Sequence, residues 1–367
     1  MIEFSISFSK PQSKCGFVIG ENAISTLRDN LSECAPQSAF VITDANVFRL
    51  HKRTLTKLIK GKNSSSRLLV LPAGERVKSY KYQIKIHQWL LENGADRKSC
   101  VVGVGGGVVC DTAGFAAATF MRGVSCILVP TTLLAQIDAA IGGKNGINLS
   151  SAKNIVGTIR QPSAVIADTL FLNTLKPVHF KEGLSELLKM ALIGSRMLRK
   201  QYEVYENADI EERRKLIQML ITEAIKAKLA VVRKDQFESG LRKILNFGHT
   251  TAHALETLSK YRRISHGKAV AFGMLVAIEL SRTKPGLDED SVKWANGRIR
   301  HLYRSFNLPN VGMDEFWNAV MRDKKRLENK VQFVLLETLG SPIIETVTKR
   351  DFVRAYQRAA SEWSSQS

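Results

Sequence analysis

Along the first half of the chain, short apolar runs alternate with segments whose apolar residues recur at helical spacing, the pattern of βαβ units and a parallel sheet. The runs Ala39 to Thr43, Arg67 to Leu71, Cys100 to Val104, Cys126 to Val129 and Ala164 to Asp168 predict strands. Ser79 to Asn93 and Asp111 to Phe120 predict crossover helices between them. After Pro177 the period changes. Glu182 to Ile193, Ile210 to Lys234, His249 to Ser259 and Ala269 to Arg282 carry helical spacing with few strand signals. The expectation is an α/β domain over residues 1–176 with a mostly parallel sheet, followed by an all-α domain over 177–367. The total of 367 residues is more than one core usually serves, since single cores stop growing at roughly 250 to 300 residues. No tandem repeat is present, and low complexity is confined to Asn63 to Ser66 and Ser364 to Ser367.

Composition narrows the class. With 44% hydrophobic and 24% charged residues, and no apolar run near the roughly 18 residues of a membrane helix, the chain reads as a soluble globular protein. Its first residues, MIEFSISFSKPQSKCGFVIG, lack a basic segment leading into a long apolar run, so no signal peptide is expected and the cytoplasm is the expected location. Cys15, Cys34, Cys100, Cys110 and Cys126 are odd in number, show no C-x-x-C spacing and have mostly apolar neighbours, which predicts buried free thiols. The net charge of +20 invites a polyanionic partner. Lys and Arg are scattered, however, and no zinc-finger, basic-region or RNP pattern occurs, so a solvated basic surface that draws in an anionic substrate is preferred over nucleic-acid binding.

Two segments carry candidate chemistry. Cys100-Val101-Val102-Gly103-Val104-Gly105-Gly106-Gly107-Val108-Val109-Cys110-Asp111 runs from a strand into a glycine cluster and then a helix. Backbone without side chains can approach a pyrophosphate closely, and a helix N-terminus offers unpaired N–H groups. The glycines do not match the G-x-G-x-x-G spacing, the Lys-Ser/Thr of a P-loop is missing, and a tight strand-to-helix turn would use the same residues. Other polar loops, Thr43-Asp44-Ala45-Asn46, Pro72 to Lys78 and Pro130-Thr131-Thr132, also follow predicted strands, where open parallel sheets bind ligands. The second segment holds His249, His253 and His266, three of the seven histidines. On a helix His249 and His253 share a face, with His266 returning from a later loop or helix start. Convergent imidazoles point to a divalent metal, although an i, i+4 pair can equally decorate a helix surface.

Taken together, GGGVVCDTAGFAAATFMRG, VPTTLLAQIDAAIGGKNGIN, AKNIVG, EGLSELLKMA, GLRKILNFGHTTAHALE and SHGKAVAFGM resemble the 3-dehydroquinate synthase family, in order and spacing, from about Asp44 to Lys325. The resemblance implies an NAD-binding α/β domain, a helical metal- and substrate-binding domain, a homodimer, and one catalytic zinc or cobalt. The implied reaction takes an anionic sugar phosphate, 3-deoxy-D-arabino-heptulosonate 7-phosphate, to 3-dehydroquinate and phosphate. It proceeds by transient NAD oxidation, phosphate elimination, re-reduction and intramolecular aldol closure, on the route to aromatic amino acids.

By the same resemblance the metal ligands are Glu186, His249 and His266, and His253 faces substrate. NAD would contact Asp44 and Asn46, the run Ala73-Gly74-Glu75-Arg76-Val77-Lys78, the run Gly106-Gly107-Val108-Val109-Cys110-Asp111, Thr131 and Thr132, Lys144 and Lys153, and Phe171-Leu172-Asn173-Thr174. Substrate would meet Asp138 and Lys189, with Lys228, Arg242 and Asn246 toward its carboxylate and Lys144, Asn154 and Lys324 toward its phosphate; the choice of Lys324 over Lys325 is arbitrary. Arg122 would reach the partner subunit's substrate phosphate. Three positions depart from the family pattern: Lys268 follows His266-Gly267 where a glutamate is usual, His179 replaces a glutamate, and Gln236 follows Asp235 where Asp-Glu is common. Rival readings are a different sugar-phosphate cyclase, of the 2-deoxy-scyllo-inosose synthase or sedoheptulose 7-phosphate cyclase type, and a metal-dependent alcohol dehydrogenase.

Overall fold

The computed structural model of the protein describes residues 14–27, 38–59, 66–150, 152–259, 264–303, 306–322 and 331–364. Packing divides the described residues into two units. The first is drawn from Met1–Val18, Ala23–Val129 and Gly143–Ala167, and the second from Ile19–Asn22, Pro130–Gly142 and Asp168–Ser367.

The first unit is built on a six-stranded sheet of β1 (Gly16–Gly20), β2 (Ala39–Asp44), β3 (Arg67–Leu71), β4 (Cys100–Gly105), β5 (Ser125–Pro130) and β8 (Ala164–Asp168), in the order β1-β8-β5-β4-β2-β3. β4 and β8 are buried along their whole length, as continuous apolar runs should be when both faces are covered. β2 pairs in parallel with both β3 and β4, and β5 with β8. Helices α1 (Ala45–Ile59), α2 (Tyr80–Glu92) and α3 (Gly107–Thr119) follow β2, β3 and β4. The chain leaves β2 toward β3 on one side and leaves β4 toward β5 on the other. The strand order therefore reverses between β2 and β4, and ligands of open α/β sheets sit beyond the carboxyl ends of strands at such a reversal. Thr43 lies opposite Val104 and its hydroxyl donates to the Val104 carbonyl at 2.8 Å, so the two strands end level with each other.

The glycines at the end of β4 allow α3 to start at once. A Cβ on Gly105 would lie 2.6 Å from the Cβ of Val109, closer than side chains ever approach. α3 consequently begins at Gly107, four residues before the start expected at Asp111, and its first turn emerges directly from the strand. An antiparallel hairpin absent from the sequence expectations, β6 (Lys144–Leu149) with β7 (Ala152–Ile159), completes the unit.

The second unit is helical, as expected, with α4 (Pro177–Ile193), α5 (Arg196–Asn207), α6 (Ile210–Lys234), α7 (His249–Leu258), α8 (His266–Ser281), α9 (Glu289–Leu302), α10 (Met313–Arg322) and α11 (Lys349–Ser364). It departs from an all-α domain by one hairpin, β9 (Val331–Thr338) with β10 (Ser341–Val347). α8 is apolar around its circumference and buried from Ala269 to Ser281, which makes it the central helix of this core. α6 is delimited by charge and cap. The Asp209 carboxylate accepts from the Glu212 N–H at 2.8 Å, acids fill the first turn and Arg233 and Lys234 the last, complementing the helix dipole. Pro177 opens α4 at a position where no backbone donor is needed. Among the described residues no helix is long and apolar enough to cross a membrane. Cys100, Cys110 and Cys126 are buried and Cys15 is half-buried, while Cys34 lies outside the described residues.

Candidate functional site

Three helices of the second unit bring Glu186, His249 and His266 together. Glu186 sits on the buried face of α4, His249 opens α7 and His266 opens α8. One donor atom from each lies within 4.8 Å of the others, the spread of ligands around one cation. His249 Nε2 is 3.4 Å and His266 Nε2 is 3.5 Å from Glu186 Oε1. The other ring nitrogens are anchored outward. His249 Nδ1 lies 3.2 Å from the Phe247 carbonyl, which can only accept, so a proton on Nδ1 leaves Nε2, the nitrogen facing Glu186, as the atom to ligate a metal. His266 Nδ1 meets Glu256 Oε1 at 3.3 Å, the carboxylate-to-histidine contact that orients metal-bound imidazoles.

The charges of this group fit a cation. Both Glu186 oxygens are buried without a hydrogen bond of good geometry, although Lys189 Nζ lies 2.5 Å from Oε2 as an ion pair. A buried carboxylate with unfilled lone pairs is costly unless something positive meets it. Burial alone would raise the Glu186 carboxyl, but Lys189 and His249 outweigh it and hold it well below the usual carboxylate range. Burial likewise lowers His249, whereas the Glu186 and Glu256 carboxylates overcome burial at His266 and raise it to about 10. The same carboxylates that would hold a proton there favour a bound divalent ion. His253 is not part of the group. Its ring stands edge-on to His249 with centroids 5.6 Å apart, but the donor atoms that converge are those of Glu186, His249 and His266.

Beside this group lie buried cations. Lys228, on α6 and 6% exposed, donates to the Asp138 carbonyl at 2.7 Å and to Asp138 Oδ1. Burial would raise the Asp138 carboxyl, but the Lys228 and Lys189 cations prevail and lower it to about 2. Arg242 is 2% exposed, and its guanidinium donates to the Gln236 carbonyl at 2.6 Å and the Gly142 carbonyl at 2.9 Å. Asn246 donates its side-chain amide to Glu238 Oε1 at 3.0 Å. Asp138, Glu186, Lys189, Lys228, Arg242, Asn246, His249, His253 and His266 thus all fall in the second unit.

The positions expected to hold NAD divide between the units. In the first, Asp44 caps α1, accepting from the Asn46 and Val47 N–H groups at 2.8 and 3.1 Å, level with the glycine run Gly105 to Gly107 at the start of α3. Ala73 and Gly74 lead into a short helical turn, Glu75–Val77, from which Lys78 turns inward. Lys78 is 4% exposed, pairs with Asp111 Oδ2 at 2.5 Å and donates to Asn154 Oδ1. Asn148 joins the same network, its backbone N–H donating to the Lys78 carbonyl at 2.8 Å and its amide to Glu75 Oε1 at 2.9 Å. The β6–β7 hairpin is thereby tied to the loop after β3, and Asn154 within it adopts φ 54°. Lys144 and Lys153 are exposed on the hairpin, and Arg122 is exposed in a turn where both Met121 and Arg122 have positive φ. Thr131, Thr132 and Phe171 to Thr174 belong to the second unit, where Asp168 accepts from the Leu170 N–H at 2.9 Å and Gln136 bridges the Pro130 and Asp168 carbonyls. Lys324 and Lys325 lie outside the described residues.

The three departures have local explanations. Lys268 reaches over the Phe306 ring, 5.8 Å from its centroid, and not toward the metal group. His179 pairs with Glu182 at 2.9 Å on the exposed start of α4. Gln236 serves Arg242 through its backbone carbonyl, which any residue could supply. Glu256, Glu238, Asp235 and Gly142 were missed in the sequence. Only Glu256 left a signal there, as the lone acid on α7, three residues after His253.

Known proteins share both halves of this arrangement. A family model described as the 3-dehydroquinate synthase N-terminal part matches residues 68–182, and one described as the C-terminal part matches 183–326. A 3-dehydroquinate synthase of Endomicrobium trichonymphae is 39% identical over 306 residues, 83% of this chain and 84% of the relative. Among solved structures, a 2-epi-5-epi-valiolone synthase from Streptomyces hygroscopicus with NAD+ and Zn2+ bound superposes with a TM-score of 0.86 at 25% identity, covering 98% of this chain and 99% of that one. A 2-deoxy-scyllo-inosose synthase complexed with carbaglucose-6-phosphate, NAD+ and Co2+ gives a TM-score of 0.81 at 26% identity, covering 93% and 96%.

Proposed function

The chain belongs to the 3-dehydroquinate synthase family, and from that premise we propose that it converts 3-deoxy-D-arabino-heptulosonate 7-phosphate to 3-dehydroquinate and phosphate as an NAD- and metal-dependent lyase. The observation that carries the reading is the buried Glu186, His249 and His266 group, with unsatisfied carboxylate oxygens, beside the buried cations Lys228 and Arg242. NAD at the ends of β2 and β4 would supply a reversible hydride acceptor, and a zinc or cobalt ion held by the three ligands would supply a Lewis acid for a hydroxyl or carbonyl oxygen.

The chain's own residues hold the substrate. Lys228 has two of its three ammonium protons committed to Asp138, so it is fixed before substrate arrives and keeps one donor for an anion. Arg242 is fixed in the same manner by two carbonyls, and with Asn246 these groups suit a carboxylate that meets donors already in place. His253, beside His249, faces substrate, and Lys189 keeps Glu186 charged. Lys144, Asn154 and the Lys324 region take the phosphate. The protein acts as a cytoplasmic homodimer in which Arg122, exposed on its positive-φ turn, reaches the partner subunit's substrate phosphate; backbone strain at an exposed position supports a functional demand there.

A cyclase for an uncarboxylated sugar phosphate is the second reading, and Lys228, Arg242 and Asn246 favour the carboxylated substrate over it. The deciding experiment is phosphate release from 3-deoxy-D-arabino-heptulosonate 7-phosphate by metal-loaded protein, with and without NAD and after chelation. Release that requires both is the expected result. Cyclisation of sedoheptulose 7-phosphate with no release from the seven-carbon acid would overturn the reading, and net reduction of added NAD would point to an alcohol dehydrogenase.

A further inference from the structure

Arg242 is bound by the loop that precedes it. α6 ends at Lys234, and the next residue, Asp235, collects the following turn around its carboxylate. Oδ1 accepts the Ser239 N–H at 2.9 Å and the Ser239 hydroxyl at 3.0 Å, while Oδ2 accepts the Gly240 N–H at 2.8 Å and the Arg242 N–H at 2.9 Å. Four donors on one carboxylate, three of them backbone, define the path from α6 to the short helical turn Leu241–Asn246. Those donors hold the Asp235 carboxyl well below the usual range, so it is an anion whenever the protein is folded at neutral pH.

The turn fixes both ends of Arg242. Its backbone N–H is bound to Asp235, and the carbonyl that receives one of its guanidinium nitrogens is that of Gln236, inside the same loop. The other receiving carbonyl belongs to Gly142, which has φ 95°. A Cβ at Gly142 would stand 2.5 Å from the terminal guanidinium nitrogen, so the room for Arg242 depends on a glycine there.

We infer that Asp235 is a positioning residue: its carboxylate folds the 235–242 loop so that Arg242 presents its remaining donors to the substrate's anionic group. This deepens the proposed function and rests on Arg242 binding the substrate carboxylate. An anion buried to the extent of 8% exposure, with no cation within ion-pair distance among the described residues, is held by three backbone N–H groups and one hydroxyl. Placing it one residue past the helix that carries Lys228 links the loop to the other candidate carboxylate ligand.

The test is a cycle of Asp235→Asn, Arg242→Met and the double variant of the metal-loaded enzyme, with KM, kcat, metal content and thermal midpoint read for each. Asp235→Asn turns one acceptor into a donor that faces N–H groups. The expected result is a KM raised about tenfold, a kcat changed less than about threefold and metal content unchanged, as for a weakened charge-assisted contact. Arg242→Met raises KM by more, and in the double variant Asp235→Asn adds nothing further, because its effect runs through Arg242. If Arg242→Met raises KM but Asp235→Asn leaves it at the wild-type value, or if the two effects multiply, the positioning role is overturned while the site reading stands. If Arg242→Met leaves KM unchanged, the carboxylate reading fails and takes this inference with it. Should Asp235→Asn not fold, Ser239→Ala, which removes one of the four donors, decides: a KM rise of about twofold supports the role and no rise overturns it.

Discussion

On the proposed function, the strand ends of the first unit and the charged group of the second meet the same demand, holding an anion, by opposite means. At β2 and β4 the work is done by backbone: level strand ends, a helix that starts within two residues of its strand, and glycines whose lack of a side chain lets the two elements meet. In the second unit it is done by side chains. Lys189, Lys228 and Arg242 are each at most 6% exposed, and each is balanced by a carboxylate or by carbonyls. A backbone site is cheap to build and tolerates most side-chain changes that add no bulk. A site of buried charges is exact in direction and intolerant of losing any one partner, because what remains is an uncompensated charge.

That contrast can be broken most sharply at the histidines. His249→Ala should abolish activity together with metal content, whereas His253→Ala should impair turnover and keep the metal. Metal analysis of the two purified variants decides, and equal metal loss in both would restore the i, i+4 ligand pair. Next in size, Lys228→Met should destabilise the second unit by about 2 kcal/mol by stranding Asp138, and should raise KM by about tenfold or more. A denaturation midpoint like that of the wild type would mean Asp138 is satisfied some other way. In the first unit, Gly105→Ala should cost about 1–3 kcal/mol by overpacking against Val109 and weaken NAD binding measured by calorimetry, yet leave metal content untouched. Loss of metal in that variant would show that the two regions are not independent.

The smallest effect is on acid stability. Because Asp138 is held at about 2, its pairing contributes fully above the ordinary aspartate value of 3.8 and is lost as pH falls through the lowered one. The difference in urea midpoint between wild type and Asp138→Asn should therefore be constant near neutrality and shrink between about pH 4 and pH 2. A difference that grows on acidification would reverse the sign of the coupling.

What the sequence disclosed follows the same division. Strands buried on both faces, such as Cys100 to Gly105, announce themselves as unbroken apolar runs, and the long helix from Ile210 to Lys234 is bounded by its own cap and charges. The β6–β7 hairpin did not, because Ala152 to Asn154 and Ile155 are exposed and its fixation comes from Lys78, Glu75 and Asn148, bonds between distant positions that leave no periodicity. The β9–β10 hairpin was hidden by apolar runs too short to separate strand from helix. At the site, spacing alone favoured His249 with His253. The residue that replaces His253 in the ligand group, Glu186, stands more than sixty positions earlier on another helix, and only the family motif connected them. The Asp235 carboxylate meets backbone N–H groups and Gly142 offers its carbonyl, contacts that no residue pattern records.

Asp138 reaches its lysine through a short excursion, Pro130–Gly142, that belongs to the second unit although chain on both sides of it belongs to the first. The two units are consequently not interchangeable modules. A gene cut at any single point between Val129 and Asp168 would give one product carrying a fragment of the other's fold, and a fusion that replaced the whole stretch before Asp168 with a homologue's would import a foreign partner for Lys228. Shuffling among related enzymes should therefore succeed only when Pro130–Gly142 travels with the helices downstream, as an inserted cassette and not as part of a contiguous half.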